Sequence, residues 1–327
     1  MVDRRSFFLL VTCLHGAVLV LPAWSTTAPP PRPRAEVEDV LAKAPPAPAG
    51  KLRPLHIVLL ADKKDHGPGQ HDYPCWQERW AVLLGGKRAG GSNATQVNLH
   101  GPATGGDAAL AGAPEVKVST AWQWPSDEQF ASAQLIAMFC YRSGGPHKTW
   151  SAEQVRQLRA YLERGGGFVA IHPATYTLRD LSKPSEAEVI RLTGLAYDRT
   201  LRYRHGPVEM KIAAPDHPIC TALPRVIRLH DEPYWPPRGS LAGLTVPATT
   251  DETVTKGTRE IASQPLFSTN RVGKGRVFAC VPGHFNWTFD DPYFRILLLR
   301  GMAWAADESP YRFDALVLRG AAVSQPK

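Results

Sequence analysis

Apolar residues along this chain gather into runs of two distinct periods. Leu55-His56-Ile57-Val58-Leu59-Leu60-Ala61 is nearly continuous and closes at Asp62, the pattern of a strand buried on both faces of a parallel sheet. From about Cys75 to Leu84 the period lengthens, and Trp76, Trp80, Leu83 and Leu84 share one stripe, which predicts a helix. Residues 85–113 are rich in Gly, Ser and Ala and read as loop, with a strand expected at Gln96–Leu99. Val116–Ser119 and the apolar run Leu135–Cys140 are the next strands. Ser151 then offers an N-cap, Val155, Leu158, Tyr161 and Leu162 form an apolar face, and Gly165-Gly166-Gly167 ends the helix. Phe168–Ile171 follows at once and runs into His172-Pro173-Ala174. Strand, helix, strand in this rhythm implies a right-handed crossover.

The second half is richer in strand patterns: Pro207–Ile212, Val226–Leu229, Leu244–Ala248, Leu266–Val272 and Arg276–Val281, with Gly273-Lys274-Gly275 as a hairpin turn between the last two. A final helix starts at Asp291-Pro292 and runs through Leu297 and Trp304. Neither an internal repeat nor a second compositional break divides this body, so residues 55–313 read as one elaborated domain and 314–327 as a tail. The fold class is α/β, a mostly parallel sheet flanked by helices with an added strand-rich second half.

Composition changes the picture mainly at the N-terminus. Arg4-Arg5 precede an apolar stretch from Phe7 to Leu21, so residues 1–27 read as an export signal. Asp3-Arg4-Arg5-Ser6-Phe7-Phe8-Leu9 resembles the twin-arginine signal, with an ordinary secretory signal as the alternative. The run is short and meets Pro22, which argues against a stable membrane span after cleavage. Cys13 within it is a poor lipoprotein site. The expected location is periplasmic or extracellular, in a bacterium. Residues 28–54 are rich in Pro, Ala and Arg and predict an extended tether, interrupted by a short helical piece at Glu36–Ala44.

The formal charge is +8, but residues 1–54 carry 7 Lys/Arg against 4 Asp/Glu, which removes +3 and leaves +5 for the body. Those positives are scattered among acids rather than clustered, which excludes phosphate tracking and hence a nucleic-acid partner. At 43% hydrophobic over 327 residues, a sizeable core is expected. Past the leader, Cys75, Cys140, Cys220 and Cys280 are too widely spaced for a disulfide scaffold or a zinc ribbon.

In open parallel sheets, ligands lie beyond the carboxyl ends of the strands. That rule selects Asp65, His66, His71 and Asp72 after the first strand, and Cys140, Tyr141 and Arg142 after the second apolar run. It also selects His172 and Thr175, then Asp231, Glu232 and Tyr234, and finally His284 after Pro282-Gly283. His172, Glu232 and His284 are the candidate acid–base groups, because imidazole titrates near neutral pH. Asp65, His66, His71, Cys140, Tyr141, Asp231 and Tyr234 are the candidate substrate contacts. His66 and His71, five residues apart in a loop rather than four on a helix, are the candidate ligands of a divalent metal. With His172, His284 and Glu232 or Asp65 they would make a mixed imidazole–carboxylate site. Duller roles remain open for several groups. The segment 65–71 also suits a plain turn, Asp290-Asp291 a helix cap, Trp287, Trp235 and Tyr234 packing as well as sugar stacking, and His217 a structural position.

Several of these segments together resemble the ThuA-like (trehalose-utilisation) family, within the class I glutamine amidotransferase-like superfamily. They are Asp65-His66-Gly67-Pro68-Gly69-Gln70-His71-Asp72-Tyr73-Pro74, Gly165–Ala174, Asp231-Glu232-Pro233-Tyr234-Trp235, Gly273–Phe278 and Pro282-Gly283-His284. The resemblance spans about Leu55 to Phe313 and implies a flavodoxin-like sheet with a pocket at its carboxyl edge. True amidotransferases place a Gly-x-Cys-x-Gly elbow after the strand corresponding to Phe168–Ile171, whereas this chain has Ala170-Ile171-His172-Pro173-Ala174. Thiolate chemistry, and with it glutamine hydrolysis, is therefore excluded there. His284 falls where the base histidine would stand. The resemblance implies a small carbohydrate partner, trehalose or a related keto sugar, handled by an isomerase or hydrolase. A sugar-binding module without turnover and a metal-dependent hydrolase of another substrate are the competing readings.

Overall fold

The computed structural model describes residues 27–324 except 88, 90–95, 105, 142–149, 178–182 and 255–257. The expected leader, with Arg4, Arg5 and Cys13, and Arg142 lie outside the described residues. In chain order the main strands are β1 (Leu55–Ala61), β2 (Val116–Trp122), β3 (Leu135–Met138), β4 (Gly167–Ile171), β5 (Gly206–Ile212), β6 (Val226–Asp231), β7 (Ala248–Thr253), β8 (Ile261–Pro265), β9 (Phe267–Val272) and β10 (Gly275–Cys280). The helices that cover them are α1 (Arg34–Lys43), α2 (Tyr73–Gly85), α3 (Asp127–Ser132), α4 (Ala152–Glu163), α5 (Lys183–Thr193) and α6 (Pro292–Ala305).

The central sheet has six strands in the order β9-β10-β4-β3-β1-β2, all parallel except β9, which pairs antiparallel with β10. Residues of β1, β3 and β4 are buried on both faces, as the continuous apolar runs predict for an interior parallel strand. β4 lies between β3 and β10 with Ile171 opposite Cys280, so the segments that follow these two strands leave the sheet side by side. A second, antiparallel sheet orders β8-β7-β5-β6. Its pair β5–β6 sets Gly206 opposite Asp231.

Helix ends follow their capping residues. The Asp72 side chain accepts from Cys75 N–H at the start of α2, Ser151 and Gln154 form a capping box on α4, and Asp291 accepts from Tyr293 and Phe294 N–H on α6. Every residue of α6 is buried, Arg295 and Arg300 included. Both guanidiniums are neutralised: Arg295 by Asp290 at 2.9 Å and Arg300 by Asp314 at 2.7 Å, as buried charge requires.

Several expectations are corrected. The tether expected over 28–54 is docked on the body. Within it α1 buries Val37 and Val40, Arg32 Nε lies 2.8 Å from Asp291 and its guanidinium sits over Tyr293, and Arg32–Pro33 pairs in parallel with Val323–Ser324. Gln96–Leu99 is not a strand; Asn98 Nδ2 instead donates to the carbonyls of His100 and Pro102, a local alternative to a ladder. Leu244–Ala248 is not a strand either. Thr245 makes one isolated bridge to Thr269, Pro247 lacks the donor a ladder needs, and the continuous pairing with β5 and β8 begins at Ala248 and Thr249. Asp290 does not cap α6: its carboxylate accepts the Leu99 and His100 N–H groups, at 2.9 and 2.7 Å, besides pairing Arg295. No described helix is long and apolar enough to cross a membrane.

Candidate active site

Four chain segments meet beyond the carboxyl edge of β4 and β10. His172 follows β4 directly, opens a turn of 3-10 helix over His172–Thr175, and has φ +49°. His71, in the loop before α2, has φ +42°. Left-handed backbone is unusual for residues with a Cβ and costs of order 1–3 kcal/mol, so two histidines held that way at one place mark a constrained site. Gly283 (φ +135°) brings the segment after β10 against His172, where a Cβ at 283 would lie 3.2 Å from the His172 Cβ. His71 N–H donates to His284 O at 3.0 Å, and Gln70 bridges Phe285. These bonds stitch the loop at 65–71 to the loop after β10.

Asp231, the last residue of β6, fixes the geometry. Its fully buried carboxylate accepts the N–H groups of Glu232 (2.6 Å), Gly283 (3.1 Å) and His284 (3.0 Å) and the hydroxyl of Thr288. With its lone pairs spent on these donors, Asp231 lies behind the cleft rather than in it. One carboxylate thus sets the backbone of both Glu232 and His284.

The side chains of His71, His172, Glu232 and His284 are all buried, and one candidate ligand atom from each lies within 4.8 Å of all the others. His172 Nδ1 lies 2.6 Å from Val281 O, so that nitrogen carries the proton. Tyr73 OH donates to Asp65 Oδ1 at 2.9 Å, and His71 Nδ1 stands 2.9 Å from Tyr73 Oη and 3.1 Å from Asp65 Oδ1, so His71 also donates through Nδ1. In the neutral rings both Nε2 atoms therefore present lone pairs, and they face each other at 3.0 Å. Glu232 Oε2 adds a third electron-rich atom, 3.2 Å from His172 Nε2 and 3.1 Å from His284 Nδ1. The His284 contact lacks hydrogen-bond alignment, and neither ring nitrogen of this buried side chain has a hydrogen-bond partner among the described residues.

Electrostatics agree with this layout. Burial pushes His71 down to about 3, opposed by its bond to Asp65. Burial likewise lowers His284, against the pull of Glu232. For Glu232 burial acts upward, but the His205 hydrogen bond and the close approach of the His172 and His284 rings outweigh it and hold the carboxyl well below its ordinary range. His205 is raised by its bond to Glu232 Oε1 at 2.8 Å. His71 and His284 are thus held toward the neutral form beside a carboxylate kept charged, the protonation states in which imidazole and carboxylate act as ligands.

A cleft of about 360 Å³ opens over this centre, bordered by Asp65, His66, His71, Tyr141, Tyr176, Leu201, Tyr203, His205, Glu232 and Tyr234. His66 stands at its mouth with Nδ1 2.8 Å from Asp65. Tyr234 stacks on His172 (4.7 Å between centroids) with its hydroxyl 3.0 Å from Nε2. Of the sequence-selected groups, Cys140 is buried and does not border the cleft. Burial raises the Cys75 thiol to about 11 and the Cys220 thiol to about 12, so neither is an activated nucleophile. A second cavity of equal volume, beside Pro29–Pro31, His230 and Trp287, has no such cluster; there Trp287 stacks on Phe285 at 4.2 Å.

His205, Tyr176, Leu201 and Tyr203 escape the sequence reading. His205 lies between a two-residue strand, Arg202–Tyr203, and the start of β5, not at the end of a strand of the central sheet. It reaches the cleft only because the start of β5 lies against the end of β6, and that register is not visible in the spacing.

A parallel-rich α/β sheet flanked by helices, with an imidazole–carboxylate cluster at its carboxyl edge, is the class of protein that fold and site define. The model of the ThuA family, described as trehalose utilisation, matches residues 76–305, and the chain belongs to that family. Among solved structures it is similar to ThuA-like proteins of Parabacteroides merdae (18% identity, TM-score 0.53, covering 79% of this chain and 92% of that one) and Bacteroides uniformis (17%, 0.54, 81% and 98%). At these identities the likeness concerns the fold. No curated protein matches.

Two outcomes follow for the site. Asp231→Asn leaves at least one of four donors poorly paired and is expected to lower stability by about 1.5–3 kcal/mol, read from urea unfolding; an unchanged midpoint would contradict the role given to Asp231. His71 is neutral in the fold down to about pH 3, whereas in the unfolded chain it takes up its proton near the ordinary histidine value of about 6.5. Its contribution is therefore complete above about pH 6.5 and is lost as pH falls toward 3. Replacing His71 by Gln should flatten the acid side of the melting-temperature profile in chelator-treated protein. A slope identical to that of the parent would refute this.

Proposed function

We propose that the protein is an exported enzyme of carbohydrate metabolism that acts on an oxidised sugar through a metal centre formed by His71, His172, Glu232 and His284. The observation that carries this reading is the set of lone pairs meeting among these four side chains. Two Nε2 atoms stand 3.0 Å apart with both Nδ1 hydrogens committed elsewhere; the Tyr234 hydroxyl can donate to the His172 one alone, and a cation between them relieves both. Burial opposes the added proton on His71, and His284 offers ring nitrogens without hydrogen-bond partners among the described residues. Donation of the far N–H to a carbonyl or carboxylate is also the usual support of a metal-binding histidine. Three imidazoles and one carboxylate suit a divalent first-row transition metal.

Such an ion supplies Lewis acidity toward a carbonyl or hydroxyl oxygen. The protein's own groups do the rest. Asp65 and Tyr73 hold the His71 ring, Val281 O holds His172, and Asp231 holds the backbone of Glu232 and His284. On the solvent side, His66 and His205 are within the cleft and are positioned to take or give a proton at a carbon next to a carbonyl. The family's link to trehalose utilisation supports a keto sugar of that kind as the substrate. His172 and His284, read from sequence as acid–base groups, become ligands in this assignment.

Protein purified without chelator should carry about one equivalent of metal by elemental analysis. His172→Ala and His284→Ala should each weaken its retention by tenfold or more, on the order of losses seen at metal sites. The loaded parent should exchange or rearrange the protons beside the carbonyl of 3-keto-trehalose, followed by NMR. Metal content unaffected by both substitutions would refute the centre, and an unaltered keto sugar the reaction. Export rests on Arg4-Arg5 and the apolar Phe7–Leu21. Replacing both arginines by lysine should leave the precursor in the cytoplasm on fractionation, and export of that variant at parental levels would exclude the twin-arginine route.

A further inference from the structure

Leu201–His205 crosses the cleft as a strap with two different sides. Leu201, Tyr203 and His205 border the cleft, and the alternation of extended backbone turns Arg202 and Arg204 the other way. On the inner side His205 Nε2 donates to Glu232 Oε1 at 2.8 Å, and its ring lies 4.5 Å from that of His284. Of the four residues of the centre, His71 and Glu232 border the cleft, whereas His284, 1% exposed, does not. His205 is thus the screen between His284 and the cleft.

On the outer side both arginines fasten to one place, the end of β7. Arg204 grips the buried Glu252 carboxylate with Nε at 2.9 Å and Nη2 at 2.7 Å, the two-pronged geometry that makes such pairs strong. Arg202 lies over the Trp235 ring, 5.5 Å from its centroid, and donates to Thr253 O and Val254 O. Trp235 Nε1 donates to Thr253 O as well, at 2.8 Å. The strap's backbone, by contrast, pairs with Tyr234–Trp235 over two residues. Its ends are suited to turning. Asp198 Oδ1 accepts the Thr200 N–H at 2.8 Å and hydroxyl at 2.6 Å, a self-contained turn. At the other end Gly206 has φ +138°, where glycine alone moves freely. A short segment between two pivots, held by side chains more than by its ladder, has the build of a lid.

We propose that Leu201–His205 is a lid, latched on β7 through Arg202 and Arg204, whose release about the turn at Asp198–Thr200 and Gly206 opens His284 and the rest of the centre to the cleft. The proposal rests on the reading of that centre above and adds how access to it is controlled. Access is measured on the full chain after chelation, as the rate of carbethoxylation of His284 by diethylpyrocarbonate, read by mass spectrometry. Amide hydrogen exchange over residues 201–206 is followed alongside. The parent is compared with Arg202→Ala and with the double variant Arg204→Gln/Glu252→Gln, which removes the ion pair without stranding a buried charge. Each variant should raise both rates by about tenfold or more, the scale of losing one charge-assisted contact, while exchange in α6 stays within about twofold of the parent. Rates unchanged in either variant, a rise shared equally by α6, or faster exchange of the strap with His284 labelled no faster would each overturn the lid. Neither readout needs metal or turnover. A tenfold rise in a protein that retains no metal would therefore uphold the lid while refuting the metal centre, and a parent that holds its metal with labelling unmoved by the variants would do the reverse.

Discussion

The arrangement hangs on a single buried carboxylate. Asp231 ends a strand of the antiparallel sheet, yet three of the donors it collects, Gly283 N–H, His284 N–H and the Thr288 hydroxyl, belong to the segment that leaves the central sheet. A charged group without solvent is tolerated only when its lone pairs are filled, and here the donors that fill them come from two sheets. The same contact that neutralises a cost of burial also brings Glu232, one residue on, against His284. Packing alone would allow the two sheets to slide; a carboxylate with fixed directions of acceptance does not.

What that contact assembles is electrostatically uncomfortable in isolation. Imidazoles buried close together resist protonation, and a carboxylate among them resists neutralisation. The strained φ values at His71 and His172 point the same way. Local energy is spent at one place in the molecule, in groups whose donors are turned outward to Val281, Asp65 and Tyr73. The elements that hold this place are buried almost throughout, the interior strands and α6 among them.

Much of this was legible in the chain. Interior parallel strands must be apolar on both faces, so β1, β3 and β4 stand out, and the residues at their ends follow from the geometry of open sheets. Ser151, Asp291 and the glycines around 165–167 mark helix boundaries through local chemistry. Legibility stops where an element depends on partners far along the chain. β7, Ala-Thr-Thr-Asp-Glu-Thr, has strand-like alternation of burial but little apolar signal, because its inward residues are Thr250 and Glu252. α1 has only Val37 and Val40 to bury, and its docking relies on Arg32 meeting a residue 259 positions away. His205 is a site residue through strand register alone. His66 and His71, five residues apart in one loop, separate in role: the first borders the cleft and the second joins the buried group.

The clasp between Arg32 and Asp291 sets an order of events during synthesis. Ribosomes deliver the aspartate 259 residues after the arginine, and the ladder from Arg32 closes on Val323–Ser324, later still. The segment from Arg32 therefore cannot settle until the chain through Ser324 has emerged. A completed seat at this position is a record, built into the molecule, that everything between its two ends has already been made.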